Sequence, residues 1–65
     1  MVSKKELVYE LETLNNRILH ITKYIEDENF HKNSRHNREL LDSQLIVMKT
    51  YANILEKRIL NLESE

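Results

Sequence analysis

Leu40-Leu41-Asp42-Ser43-Gln44-Leu45-Ile46-Val47-Met48-Lys49-Thr50-Tyr51-Ala52-Asn53-Ile54-Leu55-Glu56-Lys57-Arg58-Ile59-Leu60-Asn61-Leu62 is the stretch that decides the fold. Within it Leu41, Leu45, Met48, Ala52, Leu55, Ile59 and Leu62 recur at spacings of 4, 3, 4, 3, 4 and 3. That rhythm keeps an apolar seam on one face of an α-helix. A second stripe runs beside it, through Leu40, Gln44, Val47, Tyr51, Ile54 and Arg58. Ile46 and Leu60 fall on a third side. A helix apolar around so much of its circumference is buried on more than one face.

The same rhythm occurs earlier in the chain. Leu7, Leu11, Leu14, Ile18, Ile21 and Ile25 are spaced 4, 3, 4, 3 and 4. Ser3-Lys4-Lys5-Glu6 in front of them reads as a capping box, with Ser3 as N-cap. The seam stops at Ile25, where Glu28 and Lys32 occupy the next two positions. The following run holds Asn29, Asn33, Ser34 and Asn37, and Asn and Ser favour caps and turns over helix interiors. The second seam resumes one position out of register, so a break and a return fit better than one continuous rod. The expectation is a single 1–65 unit, with helix one about 4–28, a joint about 29–34 capped by Asn33 or Ser34, and helix two about 35–63. Two helices across a short joint become antiparallel neighbours. The fold class is therefore all-α, an antiparallel helical hairpin. Because one seam buries too little apolar surface for so short a chain, hairpins are expected to associate as a homo-oligomeric helical bundle, most simply a dimeric four-helix one. Leu40, Val47 and Ile54 are the candidate interface.

Composition narrows the function classes. The 65 residues contain no Gly, no Pro and no Cys. That excludes a glycine-rich phosphate loop, a disulfide and a thiolate zinc site. Ten Lys and Arg against eleven Asp and Glu leave a formal net charge of −1, which argues against a general DNA binder. The N-terminal residues lack the apolar run of a signal peptide, and no apolar run is long enough to span a bilayer. No Ser/His/acid set stands in a catalytic context, and the carboxylates read as solvated faces. The expectation is a protein that is not an enzyme. His20, His31 and His36 lack the i, i+4 spacing of a helical metal pair, so no metal and no cofactor is expected.

Two constellations remain as candidate ligand sites. Gln44, Tyr51 and Arg58 share one heptad position and stack along helix two. An amide, an aromatic ring and a guanidinium can together hold a base and its phosphate. They can equally rim an oligomer interface, where Tyr and Arg are common. The second is the start of helix two, where Arg35, His36 and Arg38 oppose the helix dipole. Bases at a helix N-terminus can hold an anion. Alternatively Arg35 pairs with Glu39 and Arg38 with Asp42 at i, i+4 on a solvated surface. Of the remaining aromatics, Phe30 is expected to plug the end of the hairpin, and Tyr9 and Tyr24 to be surface or interface residues.

At Leu40-Leu41-x-x-Gln44-Leu45-x-x-Met48-x-x-Tyr51-x-x-Ile54-Leu55-x-x-Arg58-Ile59, with Leu14-x-x-Arg17-Ile18 and Lys23-Tyr24-Ile25 before it, the chain resembles a family of very short helical proteins of tailed bacteriophages and prophages, with relatives named after the crAss-like phages. The resemblance covers most of the chain. Its joint departs from the family, being rich in His, Asn and Arg where the family tends to be acidic. The resemblance implies a small accessory protein in the cytoplasm of a bacterial host. Some such proteins are sponges that sequester the nucleotide signals of bacterial immunity. The leading expectation is thus a counter-defence sponge for a cyclic or adenine-derived nucleotide, acting at subunit interfaces. Gln44 and Tyr51 would hold the base, and Arg58 with Arg35, His36 and Arg38 the phosphates. The competing expectation is an inhibitor of a host protein or a phage structural or assembly factor.

Overall fold

The computed structural model describes residues 3–63, so the ends of the expected 1–65 unit lie outside the described residues. Ser3 opens the first helix: its side-chain oxygen accepts a hydrogen bond from the Glu6 amide at 3.2 Å. This satisfies one of the amides that a helix start leaves without a partner. Helix α1 then runs Lys4–Glu26. Helix α2 runs Arg35–Glu63 and packs back along α1. The two make a hairpin, 48 × 16 × 16 Å, with no strand among the described residues.

The joint differs from the expected one. Helix α1 stops at Glu26, and Glu28–Lys32 fold into a turn of 3-10 helix. Asp27 causes both changes. Its backbone N–H donates to the Tyr24 carbonyl at 3.0 Å, closing α1. Its side chain accepts from the Asn29 amide at 2.8 Å, opening the next turn. A short acceptor side chain competes with helix continuation in this way. Asn33 closes the turn, donating from its amide group to the Tyr24 hydroxyl at 2.8 Å and the Phe30 carbonyl at 3.1 Å. Ser34 caps α2, accepting from the Asn37 amide at 3.2 Å. Phe30 is buried, and its ring meets the edge of Tyr24 at 6.0 Å and 81°. Tyr24 is thereby tied to the joint.

Every position of both seams is buried or half-buried. The fully buried core lies toward the open end of the hairpin, where Leu7, Leu55 and Ile59 interlock and Val8, Leu11, Leu14 and Leu62 pack around them. Ala52 is buried as well. Lys4 and Glu63 pair across the same end at 2.6 Å. The second stripe of α2 is not covered. Leu40, Val47 and Ile54 are 55%, 67% and 47% exposed. No helix among the described residues is long and apolar enough to cross a membrane.

Candidate functional site

Beyond the core the two helices border a groove of about 410 Å³. Its walls are Leu14, Arg17, His20 and Ile21 from α1 and Gln44, Met48 and Tyr51 from α2. The helical period explains the grouping. Leu14, Ile21 and Met48 are seam residues and form the floor. Arg17 and His20 stand three residues apart on one edge of α1, and Gln44 and Tyr51 seven apart on the facing edge of α2. The floor is apolar and the rims carry an amide, a phenol, an imidazole and a guanidinium. Small-molecule sites combine apolar walls with a few polar groups in this way, at volumes of roughly 300–1,000 Å³.

Two contacts fix the α2 rim. The Gln44 side-chain amide approaches the Met48 sulfur at 3.9 Å, one turn along the helix. The Tyr51 hydroxyl donates to the Glu10 carboxylate across the hairpin. That hydrogen bond is the first cause holding the Tyr51 hydroxyl above its ordinary pKa. Partial burial and the Glu10 charge add to it, and the Arg58 charge pulls it down. The phenol is therefore a neutral donor throughout the physiological range.

The sequence candidates divide into three groups in space. Gln44 and Tyr51 meet in the groove. Arg58 lies seven residues beyond Tyr51, about 10 Å further along α2 at 1.5 Å per residue, and does not line it. Arg35, His36 and Arg38 stand at the opposite end of α2. Arg35 and Arg58 are separated by about 35 Å of helix. Within one chain, the four basic residues thus do not share a phosphate site. At the basic turn, Arg35 bonds Glu39 at 3.0 Å, the surface pair weighed above. Arg38 makes no ion pair with Asp42, and its Nε is shielded from solvent with no hydrogen-bond partner among the described residues. Among those residues no three His, Cys, Asp or Glu side chains are gathered as a metal site would require.

Arg17 and His20 are the groove residues that the sequence reasoning did not group with Gln44 and Tyr51. The signal was the antiparallel register. Once Leu14 faces Met48, the residues one turn further along α1 must border Gln44. A second, smaller hollow of about 280 Å³ beside Leu11, Glu56, Ile59, Leu60 and Glu63 lacks the basic groups that a phosphate would need.

The profile of one protein family, described as Sequestin, matches residues 3–61. Comparison with curated proteins and with solved structures finds no match. The profile match spans both helices, the joint and every groove residue, so the chain belongs to the Sequestin family.

Proposed function

We propose that this protein captures a nucleotide, cyclic or adenine-derived, in the groove between its helices and holds it without turning it over. The observation that carries the reading is the convergence of Gln44, Met48 and Tyr51 with Arg17 and His20 around one groove of about 410 Å³. The family name, Sequestin, points toward sequestration and supports the same reading. The resemblance to small tailed-phage proteins supplies a context: a counter-defence factor in the cytoplasm of an infected bacterium, removing a signal by stoichiometric binding.

The chemistry follows from the residue types. Tyr51 offers a ring face on which a base can stack, and Gln44 offers a donor and an acceptor for the base edge. Met48 supplies a soft, polarisable floor. Arg17 gives a fixed positive charge with a planar fork of donors that suits phosphate oxygens. His20 adds a donor beside it. Glu10, bonded to the Tyr51 hydroxyl, repels phosphate from the Tyr51 end of the groove, so the phosphates lie toward Arg17 and His20. No bond of the ligand is broken in this scheme, so one chain inactivates no more than its own complement of ligand.

The test is a titration with cyclic AMP, cyclic di-AMP and ADP, followed by heat denaturation and chromatography of the released nucleotide. Saturable binding with intact release is expected for at least one probe. Tyr51→Ala and Arg17→Ala should each weaken it about tenfold or more, as loss of stacking or of a charge-assisted contact does. Wild-type affinity in both variants would remove the groove as the site. Released product in place of the added nucleotide would make the protein an enzyme.

A further inference from the structure

Three aliphatic residues of the uncovered stripe of α2 are evenly spaced about Val47. Leu40, Val47 and Ile54 stand seven residues apart and are 55%, 67% and 47% exposed. At 3.6 residues per turn, such residues form a nearly straight line on one face. The exposed pair on the next face, Ile46 and Leu60, is interrupted by Asn53 and forms no such line.

Surface area argues for a cover. The chain exposes 5323 Å². A compact monomer of its 7.9 kDa would expose about 4,400 Å², from the scaling of surface as 6.3 times mass to the power 0.73. The excess, taken over the whole elongated chain, is about 900 Å², enough to supply the ~800 Å² that each partner contributes to a standard stable interface.

We propose that the occupant of this face is a second copy of the chain, its α2 lying antiparallel to the first about a twofold axis beside Val47. The pattern is self-complementary in that arrangement. Leu40 and Ile54 lie seven residues either side of Val47, so each meets the other. Ser43 and Tyr51 lie four residues either side, so a small side chain stands level with a large one. A parallel pair would instead put Tyr51 against Tyr51, Arg58 against Arg58 and like helix dipoles side by side.

The pairing also acts on the candidate site. Gln44 of one copy comes level with Thr50 of the second copy, one residue from its Tyr51, so the second helix forms an outer wall for the groove. His36 and Arg58 lie eleven residues either side of Val47. The basic turn of one copy and Arg58 of the other therefore meet at each end of the pair, although one chain holds them about 35 Å apart. This consequence for ligand binding rests on the capture reading above. The pairing does not.

The chain has no Cys, so a single introduced one reports without background. In the full-length protein, Val47→Cys lies on the axis and should oxidise to a disulfide-linked dimer as the main species. Facing Cα atoms of packed helices fall within the 4.4–6.8 Å that a disulfide spans. Leu40→Cys mixed with Ile54→Cys should link at least tenfold more than either alone, and Ile46→Cys should stay unlinked. Wild-type protein should sediment as a dimer at micromolar concentration. A wild-type monomer, or efficient linking by Ile46→Cys with none by Val47→Cys, would overturn the pairing. Nucleotide titration of the reduced variants keeps the two claims apart. Capture without linking would sink the pairing alone, and linking without capture would sink the capture reading alone.

Discussion

The two halves of the hairpin use one spacing rule and reach different ends. Toward the open end, Leu7, Leu55 and Ile59 close into a core in which Leu55 is fully buried. Toward the joint, Ile21 and Met48 occupy equivalent seam positions but are only half-buried. Long polar side chains flank them there, Arg17 and His20 on one side and Gln44 and Tyr51 on the other. The heptad rhythm sets where the helices meet. The residues beside the seam set whether they close into a core or hold open a groove. One half supplies stability and the other a groove.

The largest effect should come from the closed half. Leu55→Ala should cost about 2–5 kcal/mol in urea unfolding, the range for a buried leucine that leaves a cavity. Met48→Ala should cost under about 1.5 kcal/mol, because part of the side chain already meets solvent. Equal losses would erase the distinction between the halves. Next comes the joint. Ser34→Ala removes the α2 cap and should cost about 1 kcal/mol, with fraying of the basic turn seen in amide exchange.

The remaining effects are smaller. The Tyr51 hydroxyl is held up in the folded state chiefly by its bond to Glu10, so the stability from this linkage is complete below the unfolded tyrosine pKa near 10. It is lost only as pH rises through the higher folded value. Tyr51→Phe should therefore flatten the alkaline loss of stability above about pH 10 and leave the profile from pH 6 to 9 unchanged in shape. Lys4→Ala, at the exposed pair with Glu63, should change stability by less than about 1 kcal/mol and shrink further in salt.

The hairpin was legible because helix periodicity is local. The seam positions, the Ser3 and Ser34 caps and the burial of Phe30 all follow from residues within a turn or two of one another. The 3-10 turn was less so. Its cause is one side chain, Asp27, choosing the Asn29 amide over helix continuation, and many sequences with an Asp at that place continue. The site was half legible. Gln44 and Tyr51 align along one helix, so sequence spacing finds them. Arg17 and His20 reach them only through the register between helices, which spacing within either helix does not fix. Arg35, His36, Arg38 and Arg58 read as one basic set by chemistry, yet a rigid helix keeps its two ends apart.

The measurement that meets the central claim most directly is native mass spectrometry of the full-length protein with and without cyclic AMP, cyclic di-AMP and ADP. The account expects a discrete mass addition equal to one intact nucleotide per site, absent in Tyr51→Ala and unchanged over hours. Spectra in which no probe adds mass to the folded protein would contradict it.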